Sequence, residues 1–476
     1  MIFMVGREKE IELLSKIYSS DKPELLAVFG RRRVGKTFLI RSFFKGKIDF
    51  ELSGIKNISK RLQLRNFSFS LKDAQNLDEL PKPPKDWLDA FYQLKLFFES
   101  LEKQDRRMVV FLDEVPWLAS GKSDFIAGFS YFWNSYASKS NMLIIICGSA
   151  TAWMIQKIIN DKGGLHNRVT QRIHLQPFTL SEVETFFLSK AITFDRYQIL
   201  LIYMAMGGIP LYLEQVERGK SAAQNIDKIC FQPDGLLRNE FDNLYRSLFD
   251  NPDRYEKLII ALSSSWKGLG RGEILLKTKL NDGGGITLML QELEQSGFIS
   301  SYIPYGKKKK DTLYRLTDFY SLFYLQFIKD LSNNAVTSWV TLSQTQKWIT
   351  WSGYAFENIC LNHIDKIKMS LGISGVITNQ YGFIVKATDI SAGTQIDLII
   401  DRQDQVISLC EMKFYNDYFQ LSKLDGENLR RKKSIFVHTT KTKKQIFVVL
   451  VTTFGLVQNK ESLGLIDNVL DMNALF

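Results

Sequence analysis

A glycine-rich turn near the N-terminus constrains the fold of this chain more than any other feature. It lies in ELLAVFGRRRVGKTFLIRSFF, residues 24–44. The apolar residues 25–29 predict a short buried strand, and residues 38–44 predict a helix. Between them, residues 30–37 match G-x-x-x-x-G-K-[ST], and a strand, this loop and a helix form the context in which the pattern binds phosphate. A glycine turn without a ligand is the alternative.

The residue types of this phosphate loop (residues 30–37) suit a nucleoside triphosphate. Its glycines let backbone N–H groups wrap a phosphate, and the N-terminus of the following helix adds partial positive charge. Lys36 can supply charge to the β- and γ-phosphates, and the Thr37 hydroxyl can ligate Mg²⁺. The predicted nucleotide-binding residues here are Gly30, Arg31, Arg32, Arg33, Val34, Gly35, Lys36, Thr37 and Phe38.

An acidic pair follows a second apolar run. RRMVVFLDEVPWL, residues 106–118, contains Asp113 and Glu114 directly after a strand-like stretch. Asp113 at a strand end can hold Mg²⁺, and Glu114 can orient and deprotonate an attacking water. Alone, such a pair can be a turn or a helix cap. Behind a phosphate loop it predicts hydrolysis of the nucleotide, with Lys36 and Glu114 as catalytic residues.

A third apolar run, NMLIIICGSA at 141–150, ends in Ser149. In sheets of this kind the third run lies between the first strand and the acidic one, so Ser149 is expected to sense the γ-phosphate. An ordinary turn serine is the alternative. With IDFELSG (48–54) and QRIHLQP (171–177), these runs predict strands that alternate with helices, which is typical of an α/β parallel sheet.

The middle of the chain changes character. Residues 178–250 show helical periodicity and few strand signals. Residues 251–332 predict three helices followed by a two-stranded wing, which is the pattern of a winged helix. Its third helix, in GITLMLQELEQSG, carries carboxylates but no Lys or Arg, so groove reading is not expected. Lys307–Lys310 at the wing tip can touch phosphates, or can be a solvated turn on a scaffold. The aromatic segment 318–328 predicts a packing surface between domains.

From about residue 333 the pattern becomes α/β again. A hairpin is predicted in IDLIIDRQDQVISLCEMKFY, residues 396–415, and a helix over 417–431. Asp397 and Glu411 are hard oxygen ligands suited to Mg²⁺, and Lys413 can orient the attacking water. Strand alternation puts Glu411 and Lys413 on one face, and a hairpin loop with an odd number of residues puts Asp397 across from Glu411. An amphipathic surface strand would show the same alternation.

Composition narrows the function classes. The net charge of +11 suits a polyanionic partner such as nucleic acid, as does a basic group near the hairpin, although a solvated basic face is equally compatible. That group comprises Arg430, Arg431, Lys432, Lys433, Lys441, Lys443 and Lys444. Four scattered cysteines and four histidines argue against a zinc site. No signal-peptide core and no apolar run of membrane length is seen, so a cytoplasmic location without membrane contact is expected.

Six motifs together resemble archaeal and bacterial ATPases of the AAA+/STAND-like group. They are MVGREKEIELL, GRRRVGKT, FLDEVPWL, CGSA, NRVTQRIHLQPFTLSE and GGIPLYLEQ, in this order. The resemblance implies ATP as the nucleotide, Mg²⁺ as its metal, and Gly6 and Arg7 beside the adenine. It also implies that Pro210 approaches the nucleotide from a helical lid. Arg168 is a candidate for the γ-phosphate, although Asn167 replaces the usual glycine before it; Arg172 is a weaker candidate.

Proteins that are similar in this first half often carry a C-terminal nuclease-like domain of the PD-(D/E)xK kind. Its marks are an aromatic-Glu pair on a helix, here Phe356 and Glu357, then Ile-Asp-Leu at 396–398 and Glu-x-Lys at 411–413. The resemblance implies catalytic roles for Glu357, Asp397, Glu411 and Lys413, with Asp397 and Glu411 as metal ligands.

Four domains are therefore expected. They are a P-loop ATPase core (1–177), a helical lid (178–250), a winged helix (251–332) and a restriction-endonuclease-like α/β domain (333–476). Two functions stay open. One is an ATPase coupled to a nuclease-like domain that acts on or binds nucleic acid. The other is a nucleotide-controlled switch that binds itself or a protein partner and carries an inactive nuclease-like module.

Overall fold

A computed structural model of the chain describes residues 4–101, 106–121, 123–160, 163–249, 251–331, 338–385 and 393–476. The chain divides into an N-terminal unit, Met1–Pro177, and a C-terminal unit, Phe178–Phe476. Among the described residues, no helix combines the length and the apolar character needed to cross a membrane.

The N-terminal unit is built on a parallel sheet in the order β2-β3-β4-β1-β5. Its strands are β1 (Glu24–Phe29), β2 (Phe50–Ser53), β3 (Met108–Asp113), β4 (Met142–Gly148) and β5 (Gln171–His174). Every residue of β3 and β4 is buried, as expected for a parallel sheet covered on both faces. β4 lies between β1 and β3, so the carboxyl ends of these three strands meet at one edge, as the sequence predicted.

Helices cover this sheet. They are α1 (Glu8–Tyr18), α2 (Lys36–Phe43), α3 (Lys60–Gln75), α4 (Trp87–Leu101), α5 (Val115–Leu118), α6 (Phe125–Ser135) and α7 (Thr151–Met154). The buried faces of α4 and α6 meet through aromatic rings, with Trp87 4.8 Å from Phe125 and Phe91 5.5 Å from Phe132 between ring centroids. This aromatic layer is part of the core that fixes the strands carrying the polar residues.

The C-terminal unit begins with helices, as predicted for residues 178–250. They are α8 (Leu180–Ser189), α9 (Arg196–Met206), α10 (Pro210–Leu213), α11 (Ala222–Ile226) and α12 (Glu240–Leu248). A second group follows, comprising α13 (Pro252–Ser263), β6 (Leu269–Gly270), α14 (Arg271–Thr278), α15 (Gly284–Gln295), β7 (Ile299–Tyr302) and β8 (Leu313–Leu316). β7 and β8 form an antiparallel hairpin, and β6 pairs with β8. The three helices and the hairpin lie where the sequence pattern placed them.

The aromatic segment forms α16 (Phe319–Phe323) and a π-helical turn, Tyr324–Ile328. Its rings pack on the helices that follow, α17 (Trp339–Leu342) and α18 (Gln346–Asn362). Phe323 lies 4.8 Å from Trp339 and 5.5 Å from Trp351, and Phe327 lies 5.3 Å from Trp351. The segment is therefore a buried packing surface, and its predicted position between two domains stays a prediction.

The last part of the chain forms a mixed sheet in the order β15-β13-β11-β10-β9, called here the C-terminal sheet. Its strands are β9 (Thr378–Val385), β10 (Thr394–Arg402), β11 (Val406–Lys413), β13 (Gln445–Thr452) and β15 (Asn468–Leu470). β9, β10 and β11 pair antiparallel, whereas β11, β13 and β15 pair parallel. The remaining elements are α19 (Ile364–Ser370), β12 (Phe419–Gln420), α20 (Lys423–Thr440) and β14 (Leu456–Val457).

The helix predicted over 417–431 was wrong at both ends. Ser422 caps α20, and its side chain and that of Asp425 form a reciprocal capping box, which starts the helix later than predicted. The helix then continues to Thr440 because Leu429 and Phe436, seven residues apart, share its buried face. The β-branched residues of KKSIFVHTT (432–440) therefore lie on a helix, because burial of the apolar face outweighs their low helix propensity.

Candidate functional site

The phosphate loop joins β1 to α2. Gly30 has φ +145°, and a Cβ there would lie 2.3 Å from the carbonyl oxygen of Leu175, so only glycine fits. Gly35, with φ +92°, precedes the first turn of α2. The buried ammonium of Lys36 donates to the carbonyl oxygens of Gly30 at 2.9 Å and Arg31 at 3.0 Å. The loop thus wraps around the ammonium of Lys36, the positive charge that can bind a phosphate.

The two predicted magnesium ligands are in direct contact. The Thr37 hydroxyl donates to Asp113 Oδ2 at 2.7 Å, and the backbone N–H of Glu114 donates to Asp113 Oδ1 at 2.9 Å. Asp113 comes from the end of β3 and Thr37 from the start of α2, as the strand order requires. A hydroxyl beside a carboxylate offers the hard oxygen donors that Mg²⁺ prefers. These residues therefore fit the metal.

Glu114 and Ser149 form a second contact at this edge. Glu114 adopts the left-handed conformation with φ +47°. Its Oε2 accepts from the Ser149 hydroxyl at 2.9 Å and the Ser149 N–H at 3.2 Å. Burial raises the pKa of Glu114; Lys36 lowers it, Asp113 raises it, and the bonds from Ser149 lower it. A carboxyl with a raised pKa is better matched to proton transfer near neutrality than an exposed one.

The predicted adenine-side residue Arg7 lies against the phosphate loop. Its guanidinium is buried and donates to the carbonyl oxygen of Val34 at 3.3 Å and that of Gln176 at 3.0 Å. Gly6, with φ +65°, makes the turn before it. Arg7 therefore stabilises the loop backbone from outside, and its contact with adenine stays a prediction.

The other predicted nucleotide-binding residues differ in their exposure. Arg31 and Val34 are buried in the loop, Arg32 and Arg33 are half-buried, and Phe38 is exposed. Arg168 and Arg172 are exposed in the N-terminal unit. Pro210 begins α10 in the C-terminal unit. Their contacts with the nucleotide stay predictions.

The carboxylate site (Glu357, Asp397, Glu411 and Lys413) lies in the C-terminal unit. The β10–β11 register pairs Leu398 with Cys410, so Asp397 and Glu411 occupy the next facing positions, as expected for a hairpin loop with an odd number of residues. Asp397 lies in an irregularity of the β9 pairing between Ile396 and Ile399, and such bulges re-aim side chains. Glu411 accepts from Lys413 Nζ at 3.1 Å and from Lys432 Nζ at 2.7 Å.

The charges of the three carboxyl groups act on one another's pKa values. Burial, and next the charge of Asp397, raise the pKa of Glu357 to about 8, against the opposing charge of Arg315. Burial and Glu411 raise the pKa of Asp397, while Lys432 opposes the shift. Burial would lower the pKa of Lys413, but Glu411 raises it above its usual value. Within the described residues, no group of three or more His, Cys, Asp or Glu side chains is arranged as a metal cluster.

Sequence reasoning missed two contacts here and misplaced part of the basic group. Gln395 Nε2 donates to Asp397 Oδ1 at 2.6 Å, and Arg315 Nη1 lies 3.8 Å from Glu357 Oε1. Arg315 is distant in sequence, so no local pattern signals it.

The predicted basic group does not form one patch around the carboxylate site. Lys432 reaches Glu411, but Lys444 binds Asp401 at the other end of β10 and Arg430 binds Glu461.

A parallel sheet with a phosphate loop after β1, an acidic pair after β3 and a polar residue after β4 defines a P-loop ATPase domain. Residues 4–216 match the family described as an ATPase domain predominantly from Archaea. This part of the chain is thus an ATPase domain of that family.

Two relatives from Methanocaldococcus jannaschii are similar over longer stretches. Uncharacterized protein MJECL04 is 26% identical over 326 residues, 68% of each chain. Uncharacterized ATP-binding protein MJ1659 is 21% identical over 300 residues, 53% of this chain and 81% of the relative. The Walker-type ATPase PABY2304 of Pyrococcus abyssi has the same fold, with a TM-score of 0.50 and 19% identity over 68% of this chain and 96% of its own.

Proposed function

We propose that the N-terminal unit binds ATP with Mg²⁺ and hydrolyses it at the edge formed by β1, β3 and β4. The observation that carries this proposal is the Thr37–Asp113 hydrogen bond with Glu114 adjacent to it. The relative described as an ATP-binding protein supports the choice of nucleotide.

The side chains divide the work. Lys36 exchanges the carbonyl oxygens of Gly30 and Arg31 for phosphate oxygens, because both are acceptors for the same ammonium. Thr37 and Asp113 hold Mg²⁺, which neutralises charge on the β- and γ-phosphates when bound. Glu114 orients a water and accepts its proton. The Ser149 hydroxyl, which donates a hydrogen bond to Glu114, can donate to the γ-phosphate instead when the nucleotide is bound.

Glu114→Gln tests this assignment. The amide keeps the shape of the side chain but is not a base, so we expect ATP hydrolysis to fall by about 10²–10⁴-fold. Binding of a fluorescent ATP analogue should persist, because Lys36, Thr37 and Asp113 are unchanged. Unchanged turnover by the variant would remove Glu114 from the role of base. Glu99→Gln, on α4, is the matched control because its side chain is 42% exposed.

We further propose that the C-terminal unit carries a winged helix, formed by α13–α15 with the β7–β8 hairpin, and a PD-(D/E)xK nuclease-like domain. The facing positions of Asp397 and Glu411, with Lys413 3.1 Å from Glu411, carry the second part of this proposal. The substrate class is nucleic acid. In this reading, α18 supplies Glu357, β10 supplies Asp397, and β11 supplies Glu411 and Lys413.

The residues fit the chemistry of phosphodiester hydrolysis. Asp397 and Glu411 offer carboxylate oxygens from neighbouring strands, and Mg²⁺ held there would lower the pKa of a water. Lys413 can orient that water or stabilise charge on the phosphate. Lys432 fixes Glu411 from α20. Gln395 fixes Asp397 by its 2.6 Å hydrogen bond.

A plasmid assay tests the nuclease proposal. Purified protein is incubated with supercoiled plasmid and Mg²⁺ or Mn²⁺, beside Lys413→Ala and the control Lys423→Ala, whose side chain is 81% exposed. We expect nicking by the wild type and the control but not by Lys413→Ala. Equal nicking by all three proteins would exclude this site as its source.

The second candidate function is a nucleotide-controlled switch whose nuclease-like module is inactive and binds a partner. The double ion pairing of Glu411 by Lys413 and Lys432 favours it, because these lysines neutralise the carboxylate without a metal. For this function we expect no nicking under any metal and a protein partner or second copy that is retained with ATP but not with ADP. Size-exclusion chromatography with each nucleotide measures the second-copy case.

A further inference from the structure

A cavity of about 200 Å³ opens beside the carboxylate site. One wall is the β7–β8 hairpin, which contributes Ser300, Tyr302 and Arg315; another is the C-terminal sheet, which contributes Gln380 and Asp397. A water molecule occupies about 30 Å³ in the liquid, so the cavity has room for a group of several non-hydrogen atoms. It therefore joins two parts of the chain that were predicted as separate domains.

Arg315 brings a positive charge to the described lining of this cavity, and its guanidinium makes few polar contacts. Its side chain is 16% exposed, and its nearest carboxylate oxygen, on Glu357, lies 3.8 Å away, beyond hydrogen-bond distance. Its Nε is buried and has no hydrogen-bond partner among the described residues. A buried donor without a partner costs stability. The position of this guanidinium is therefore better explained by binding of a ligand than by stabilisation of the fold.

The position of Arg315 is fixed by the neighbouring loop. Its guanidinium lies 5.6 Å from the centre of the Tyr302 ring. Beyond Tyr302, the backbone N–H of Tyr305 donates to the Gly382 carbonyl at 2.7 Å, and the Tyr305 ring lies 5.3 Å from that of Phe436. The hairpin is thus fastened to β9 and α20, and it presents Arg315 to the cavity without a large conformational change.

We propose that Arg315 binds a phosphodiester group of a nucleic-acid strand that enters this cavity toward Asp397. This inference rests on the nuclease-like function proposed above and adds a residue from outside that domain to its substrate site. The planar guanidinium can donate two parallel hydrogen bonds to phosphate oxygens, which Lys or Gln cannot reproduce. Asp397 on the opposite wall places the metal-holding carboxylates next to the bound strand.

The charges of the cavity predict that this binding needs a divalent cation. Asp397 lines the cavity and Glu357 lies 3.8 Å from the guanidinium, so a phosphate without a cation would lie beside carboxyl groups that repel it whenever they are ionised. A cation held by the carboxylates reverses that balance. Arg315 should therefore contribute to binding with Ca²⁺ present and contribute little with a chelator.

The test measures binding of a fluorescein-labelled oligonucleotide to the full chain by anisotropy, in Ca²⁺ and in EDTA, with DNA and RNA arms. We expect Arg315→Gln to weaken binding about tenfold or more in Ca²⁺ and to change it little in EDTA. Arg315→Lys should restore only part of the affinity. Arg254→Gln, an exposed arginine on α13, has the same change of charge and should bind like the wild type. The melting temperature shows that each variant is folded.

A double variant separates ligand binding from a structural role. If Arg315 acts only by neutralising Glu357, Arg315→Gln will have no effect in a Glu357→Gln background, and the proposal is overturned. A tenfold loss in that background supports it. Competition by inorganic phosphate alone, without any effect of strand length, would overturn the phosphodiester assignment. If the wild type nicks plasmid and Arg315→Gln binds the oligonucleotide as well as the wild type does, the nuclease proposal stands and the proposed role of Arg315 is overturned. If the wild type binds no oligonucleotide, both proposals are overturned.

Discussion

At the scale of single residues, the Glu114–Ser149 pair sets the state of the predicted base. Burial favours the protonated form of Glu114, whereas two hydrogen bonds from Ser149 favour the carboxylate. A base must be deprotonated to accept a proton from water. The two effects together therefore determine the lowest pH at which hydrolysis runs at full rate.

Ser149→Ala should move the acid side of the pH–rate profile upward. The Ser149 hydroxyl lowers the pKa of Glu114, so its loss raises that pKa further, and activity falls at a higher pH than in the wild type. Steady-state ATPase rates across the acidic and neutral range measure the shift. Ser138→Ala, at a half-buried serine whose hydroxyl donates to the carbonyl oxygen of Asn134, is the control and should leave the profile unchanged. A uniform loss of rate without a shift would contradict the predicted role of the hydroxyl.

Glu357 makes a prediction about stability. Its pKa rises from the model-compound range to about 8 on folding, through burial and Asp397. The folded state therefore holds a proton that the unfolded state has lost, and stability falls as the pH rises from about 5 to about 8. One pKa unit corresponds to about 1.4 kcal/mol, so the total effect is a few kcal/mol at most.

The expected outcome is that Glu357→Gln is stabilised relative to wild type at the high end of this window and much less at the low end. Chemical denaturation in EDTA at several pH values measures it, since a bound metal would change the balance. Glu427→Gln on α20, whose side chain is 57% exposed, should show no such trend. A difference independent of pH would mean that the carboxyl is already ionised.

At the scale of elements, the approach of β5 and the phosphate loop depends on one glycine. A Cβ on Gly30 would meet the Leu175 carbonyl oxygen at 2.3 Å, whereas a Cβ on Gly46, also at positive φ, would meet nothing within 4 Å. Gly46→Ala should cost about 1 kcal/mol from backbone strain alone. Gly30→Ala should cost clearly more and abolish ATP binding, as measured by denaturation and nucleotide titration. Equal costs would show that the loop can move away from Leu175.

The elements that the sequence predicted best are those defined by local patterns. The phosphate loop, Asp113, Glu114 and Ser149 each follow an apolar strand, and parallel strands bring their ends together. For a hairpin loop with an odd number of residues, the sequence also placed Asp397 and Glu411 opposite each other, and the register of the two strands has this arrangement. The sequence could not assign Arg315 and Gln395 to the carboxylate site. Arg315 approaches Glu357 from a segment that is distant in sequence, and the hydrogen bond from Gln395 to Asp397 depends on a side-chain rotamer that no sequence pattern shows. The bounds of α20 were missed since burial, not propensity, decided them.

At the scale of the whole molecule, the helices after residue 178, the hairpin and the C-terminal sheet belong to one compact unit. Specific contacts also join the helical segment to the later part of this unit. Tyr197 of α9 stacks on Phe414, directly after Lys413, at 5.8 Å, and Leu180 N–H donates to His363 Nε2 at 3.2 Å. A motion of the helical segment would therefore act directly on the strand that carries Glu411 and Lys413.

Trp351→Ala tests whether this unit folds as a whole. Trp351 is 1% exposed and packs against Phe323, Phe327 and Trp348, so the variant should lose about 3–5 kcal/mol. We expect hydrogen exchange to rise throughout the C-terminal unit, including α9 and β11, while the N-terminal unit still binds ATP. Ile349→Ala on the same helix, with a side chain 58% exposed, should change exchange little. Faster exchange confined to α18 would instead mean that the segments of this unit unfold independently, and that the contacts of Tyr197 and Phe414 do not couple them.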